Sequence, residues 1–336
     1  MKKVPIYALV ICLALSLSGC RKIENDESVS YSSQGNGTMQ QITSEILSSG
    51  VTEEVLTQRP TQAEISQELT ADKEIVVSGK LESDEYAAKI AQLQEILNEH
   101  RYNISLAVYS VDGGKALAYN TNAEIFGACT VKAAYTLYAC KQMEAGNGDL
   151  QTPITYSEKH YEPGTGDMQY SSFGTVFTME TALYKSMSIS DNVGYLMSVD
   201  FFGRDDYNTW IGELGCNSLK IKPTVWSLRT KANDLIKIWC QIYNYFETDT
   251  EYSRFLKSSC TNTAGNYATA ALSGVDYSHK QGHNSTGDWL SLSDAGIVWK
   301  DSNPYIIAIL TDAPGPNAYS TSEFSKIIDI VHNNLF

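Results

Sequence analysis

The chain has 336 residues, 43% hydrophobic and 19% charged, too apolar for a disordered protein and long enough for at least one real core. Its 25 Lys and Arg stand against 39 Asp and Glu, a formal charge of −14. No basic field exists to hold phosphate backbones, so no nucleic-acid partner is expected.

In chain order, Lys2 and Lys3 precede an apolar run from Val4 to Leu17, which closes on Leu17-Ser18-Gly19-Cys20. Residues 1–20 read as a secretory signal ending in a cysteine, with an apolar run shorter than the ~20 residues of a spanning helix. The stretch resembles a bacterial lipoprotein signal. That implies cleavage before Cys20, a lipid on its thiol and an extracytoplasmic protein anchored to the cell membrane; an uncleaved membrane anchor is the alternative. Residues 21–85 are rich in Ser, Thr, Gln and Glu with one aromatic, Tyr31, and read as a disordered acidic tether. More than half of the net negative charge falls in this tether, so the acidity says little about a site. A short strand or helix near Ile65 to Val77 remains open.

Residues 86–336 are expected to form one domain. Ile90, Leu93, Ile96 and Leu97 recur at helical spacing. Ile104 to Val111, Asp112-Gly113-Gly114 and Ala116 to Tyr119 read as a hairpin with Asp-Gly turn chemistry. The middle, from Thr130 to about Ser258, is mostly helical by period, most clearly over Lys231 to Tyr245. Ala295 to Trp299 and Tyr305 to Thr311 read as strands, and Glu323 to Leu335 as a closing helix. Strands at both ends with helices between predict an α+β domain whose termini share one antiparallel sheet.

Three short patterns carry chemistry. Cys129 and Lys132 stand three apart in Phe126-Gly127-Ala128-Cys129-Thr130-Val131-Lys132, at the start of a helical run, and so share a face. Ser190-Asp191-Asn192 follows, and then His279-Lys280-Gln281-Gly282-His283 on an expected strand. In order and rough spacing these resemble the S-x-x-K, S-D-N and K-T-G motifs of class A β-lactamases and their penicillin-binding relatives. The resemblance implies about five antiparallel strands flanked by the terminal helices, an all-helical lobe, and a site between them. Cys129 then stands at the nucleophile position and Lys132 at the proton-transfer lysine. The resemblance implies that Ser190 relays a proton to the leaving nitrogen and that Lys280 keeps the site positive. It further implies that Asn192, Gln281, Gly282 and His283 bind substrate, with the N–H groups of Cys129 and His283 as the oxyanion hole.

Two departures bear on activity. Gln281 replaces a threonine, and the stretch between Gly215 and Ala232, where class A enzymes place a deacylating glutamate, contains no carboxylate. Glu213, Asp205 and Asp206 lie in a helix ahead of it and are not expected to serve. A thiol at a helix N-terminus beside two lysines is a plausible nucleophile, and its acyl product would be a thioester. The expected activity is a slow or degenerate β-lactamase-like hydrolase or acyltransferase acting on β-lactams or cell-wall-derived amides. The alternative is a non-catalytic ligand-binding lipoprotein that keeps the fold and cleft. No cofactor or metal is expected: His279 and His283, four apart on a strand, would sit roughly 13 Å apart. An odd count of five cysteines after Cys20 leaves at least one thiol unpaired, and Cys129 is the natural candidate. The pairing of Cys140, Cys216, Cys240 and Cys260 stays open. Tyr161 and Tyr170, in a Gly/Pro-rich loop, read as surface tyrosines before they read as cleft lining. A monomer is expected.

Overall fold

The computed structural model describes residues 63, 65, 68–223, 229–261, 263 and 271–336. Its centre is a six-stranded antiparallel sheet. In chain order the strands are β1 (Val76–Gly79), β2 (Ile104–Ser110), β3 (Lys115–Tyr119), then β8 (Asp276–Asn284), β9 (Ser291–Trp299) and β10 (Tyr305–Thr311), after the short pairs β4 (Ile125–Phe126) with β7 (Arg229–Thr230) and β5 (Pro153–Thr155) with β6 (Val176–Thr178). The sheet order is β1-β3-β2-β10-β9-β8. Strands from both ends of the domain thus meet at the β2–β10 seam, where Ala107 faces Ala308.

The helices are α1 (Asp84–Glu99), α2 (Lys132–Glu144), α3 (Met179–Ser188), α4 (Asn192–Phe202), α5 (Arg204–Glu213), α6 (Ala232–Phe246), α7 (Glu251–Thr261) and α8 (Ala318–Ile330). The central strands are buried on both faces, which is why β10 reads as a nearly unbroken apolar run, and β2 is buried throughout although it carries Ser105 and Ser110. Ile307 and Ile309 pack with Leu93 of α1 and with Phe324 and Ile327 of α8. On the opposite face Tyr109, Ile306 and Ala308 join the core of the helical lobe, with Trp239 of α6 and Leu137 of α2. Alternation along one strand therefore feeds two separate cores. The α+β architecture with terminal helices on one face and a helical lobe is the expected one.

Two boundaries differ from expectation. The fold begins before Tyr86, so the tether assigned to residues 21–85 is too long at its C-terminal end. Val76–Gly79 pair with Ala118–Lys115 and supply the sixth strand where about five were expected. Ahead of β1, Leu69 and Ala71 are buried. Leu69 N–H donates to the Tyr109 hydroxyl (2.7 Å) and Ala71 N–H to Thr121 Oγ1 (3.0 Å). An edge strand and a strap held by main-chain hydrogen bonds need few apolar side chains, so the sequence left only an open possibility of a short element near Ile65 to Val77. The last helix likewise starts at Ala318, five residues before Glu323. Asn317 Oδ1 accepts the Ser320 N–H (3.0 Å) in a capping box, and the polar first turn hides the helix from an apolar-period reading. Residues 1–62, with Cys20 and the expected signal, lie outside the described residues. No helix among the described residues is long and apolar enough to cross a membrane.

Candidate active site

The three patterns converge at the free edge of β8. Cys129 lies in a 3-10 turn (Ala128–Val131) that runs directly into α2, so its thiol sits at the N-terminal end of that helix. Ala128, just before it, is held at φ 46°, a left-handed conformation that costs a non-glycine residue on the order of 1 kcal/mol and persists only where packing over-determines it. The packing comes from β8. A Cβ on Gly282 would lie 2.3 Å from Gly127 O and 2.8 Å from Cys129 N. Only a residue without a side chain lets the strand come this close to the turn.

Lys132 occupies the first position of α2, fully buried. Its ammonium donates to Ser190 O (2.6 Å) and Asn192 Oδ1 (2.8 Å) and hydrogen-bonds Cys129. It also lies 5.7 Å from the centre of the Tyr195 ring. Lys280, equally buried, donates to Ser190 Oγ and to Gln281 O (3.0 Å). Each lysine thus joins the second motif to one of the other two, and burial is tolerable because each ammonium is supplied with acceptors.

The turn that presents Ser190 and Asn192 is built from the loop before it. Ser190 has φ 59°. Asp191 caps α4, its Oδ1 accepting Gly194 N–H (2.9 Å) and its Oδ2 accepting Met168 N–H (2.9 Å). Thr165 donates to Ser190 O (2.6 Å), Asn192 N–H donates to Thr165 O (3.2 Å), and Asn192 Nδ2 donates to Pro163 O (3.3 Å). Sequence reasoning missed Thr165 and the capping role of Asp191. The signal available was the turn chemistry of Pro163-Gly164-Thr165-Gly166.

Charge in this site favours a thiolate. Burial pushes the Cys129 thiol up, but the charges of Lys132 and Lys280 and hydrogen bonds with Lys132 and Thr165 outweigh it, leaving the pKa below its ordinary value. Burial lowers both lysines, Lys280 to about 8, against the pull of the cysteine. Burial and the nearby Lys280 also lower His283. The other cysteines behave oppositely: burial pushes Cys216 and Cys240 up to about 12 and raises Cys140 and Cys260 as well. All five described cysteines are free thiols.

Gln281 and His283 lie with Gly282 on β8, Gln281 buried and His283 exposed, so all eight predicted site residues of the domain are brought together. On the same strand His279 donates through Nδ1 to the buried Asp294 of β9 (2.8 Å), while the Thr263 hydroxyl lies 2.6 Å from Nε2. This ties Thr263, beyond the end of α7, to β8 and escaped the sequence reading, which considered His279 only as a metal ligand. Among the described residues no three His, Cys, Asp or Glu side chains are placed to hold a metal ion.

The order of these motifs on this sheet agrees with the match of residues 88–335 to the model of the beta-lactamase enzyme family. The chain belongs to that family. A search of the curated proteins gives no match. Among solved structures it is similar to PBP-A at 19% identity and TM-score 0.65, over 72% of this chain and 94% of that one. A variant of PBP-A, described as an acyl-enzyme complex with penicillin G, matches at 19% and 0.67, over 74% and 96%. A β-lactamase from Chitinophaga pinensis matches at 20% and 0.65, over 73% and 98%. At these identities the structural likeness speaks for the fold, and family membership supports a β-lactam-related hydrolase at the level of the family.

The stretch that in class A enzymes carries the deacylating glutamate is bonded to α6 at one described end and packed against the turn before Cys129 at the other. Ser218 Oγ donates to Asp234 Oδ2 (2.7 Å), and a Cβ on Gly127 would meet Thr230 Cγ2 at 2.8 Å. Glu213 is exposed at the end of α5. The carboxylates whose fields act on Lys132 are Asp191 and Glu162, and Asp191 is spent on the helix cap.

Proposed function

We propose that the protein is acylated on Cys129 by β-lactams or cell-wall-derived amides and releases the acyl group slowly, by hydrolysis or by transfer, while held outside the cytoplasm by a lipid on Cys20. The observation that supports this best is the position of Lys132, whose buried ammonium contacts the thiol, Ser190 O and Asn192 Oδ1 together. In the acylation step the Cys129 thiolate attacks the carbonyl carbon. The C–N bond breaks, the nitrogen takes a proton from the Ser190 hydroxyl, and Lys280 returns one to Ser190. The oxyanion of the tetrahedral intermediate faces the N–H groups of Cys129 and His283, and its collapse gives a thioester. A dedicated base for water typically contributes about 10²–10⁴-fold in rate, and none stands in the usual stretch, which argues for slow release.

Intact mass after exposure to penicillins and cephalosporins tests this. A persistent adduct, mapped to Cys129 and absent from Cys129→Ala, is the expected result, with nitrocefin turnover orders of magnitude below that of an efficient lactamase. Absence of any adduct would favour the non-catalytic binder, and rapid turnover that is lost in Glu213→Gln would overturn the missing-base argument.

A further inference from the structure

We propose that the cavity at the end of the sheet, beyond the last residues of β8, is a second binding site that takes a ligand carrying an anionic group on an apolar body. The cavity, about 610 Å³, lies between the turn from α1 to β2 and the connection from β8 to β9, with Arg101, Tyr102, Phe126, Arg229, Leu290 and Asp312 in its wall. None of the eight candidate active-site residues lines it. Phe126 is the Cα partner of Arg229 across the β4–β7 pair, so an aromatic ring and a guanidinium reach the wall from one short ladder. Trp289 braces both from the β8–β9 connection. Its ring meets Phe126 edge-on with centroids 5.3 Å apart, and the Arg229 guanidinium lies 5.3 Å from its centre. Asn284 fixes that connection in turn, donating through Nδ2 to Thr286 O (3.1 Å) and Trp289 O (2.7 Å) and accepting Gly315 N–H at its carbonyl (3.0 Å).

Both arginines are held by rings rather than by carboxylates. The Arg101 guanidinium lies 4.9 Å from the centre of the Tyr319 ring, as that of Arg229 lies against Trp289. A guanidinium on an aromatic face keeps its in-plane N–H groups for an acceptor. Arg229 gives one of them to Glu124 O, at a long 3.4 Å. Among the described residues neither arginine, nor Lys73 on the same wall, forms a salt bridge. The carboxylates present are Asp288 and Asp312, and Asp312 accepts Asn103 N–H through Oδ1 (2.8 Å) instead of pairing with an arginine. A carboxylate or a phosphate group fits the two guanidinium forks. The half-buried side chains of Tyr102, Phe126 and Leu290 supply apolar surface, which a bare inorganic anion leaves uncovered and an attached apolar body covers.

The test titrates the full chain with phenyl phosphate, benzoate, inorganic phosphate and benzylamine while the tryptophan indole N–H resonances are followed by NMR, the Trp289 signal being assigned from its loss in Trp289→Phe. At least one of the two anionic aryl compounds is expected to shift the Trp289 resonance to saturation and to leave that of the buried Trp239 in place. Tighter binding of phenyl phosphate than of benzoate identifies phosphate as the group read, and the reverse order identifies carboxylate. Inorganic phosphate should bind about tenfold more weakly than phenyl phosphate, benzylamine should give no saturable shift, and affinity should fall as salt is raised. Arg229→Gln and Arg101→Gln should each weaken binding about tenfold, while the exposed control Arg254→Gln should not; an unmoved Trp239 resonance reports that each variant is folded. The absence of a saturable shift at Trp289 with either anionic aryl compound, equal binding of benzylamine, or affinity unchanged in both arginine variants would overturn the inference. None of these outcomes depends on the reactivity of Cys129.

Discussion

Replacing Lys132 with Met removes one buried ammonium and keeps most of the side chain's volume. Lys132 hydrogen-bonds the thiol and donates to Ser190 O at 2.6 Å and Asn192 Oδ1 at 2.8 Å. A hydrogen bond to a charged partner is worth about 1.5–3 kcal/mol, and one pKa unit corresponds to about 1.4 kcal/mol. Loss of the lysine should therefore raise the Cys129 pKa by about two units at the upper end of that range. At a pH below both midpoints the variant carries roughly 100-fold less thiolate. Each thiolate is, however, about tenfold more nucleophilic, because reactivity rises with basicity at a slope of about 0.4–0.5. Iodoacetamide modification followed against pH by mass spectrometry should then show the variant about tenfold slower below both midpoints and faster than wild type above them. The crossing of the two curves is the signature. A midpoint that does not move would place Lys132 outside the electrostatics of the thiol and refute the argument. Asn192 Oδ1, left without its ammonium, should also cost about 1–3 kcal/mol in stability, while Ser190 O keeps the hydrogen bond from Thr165, so melting is recorded beside the rates.

Cys129→Ser should still be acylated by penicillin if Lys132 can take the hydroxyl proton, giving an ester adduct of the expected mass, and a folded variant that never labels would count against the proposed roles. Selectivity among thiols is also expected. Cys129 should alkylate near pH 7 while Cys140, Cys216, Cys240 and Cys260, whose pKa values burial raises, react only after unfolding; peptide mapping checks this. Gly282→Ala places a methyl group 2.3 Å from Gly127 O and 2.8 Å from Cys129 N. The strand must move off the turn, with an expected cost of about 1–3 kcal/mol in denaturant titration and slower modification of Cys129; unchanged stability and reactivity would show that the close approach is dispensable.

Much of this protein is legible from local pattern. The strands β2, β9 and β10 follow from their apolar, β-branched runs, α6 from its period, and the hairpin turn from Asp112-Gly113-Gly114, because each signal lies within a few residues. The three motifs could be placed in order, and all eight site residues named in the domain from sequence are gathered in the structure. What tertiary structure decided depends on partners distant in the chain. The strap at Leu69 and the edge strand β1 are held by main-chain bonds to Tyr109, Thr121 and β3, which leave no trace in composition. The lowered pKa of Cys129 needs Lys280, about 150 residues away, on a strand that reaches the thiol because residue 282 is glycine. Propensity and periodicity are short-range properties of the chain, whereas the electrostatics of a buried site sum over every charge that folding brings within a few ångströms.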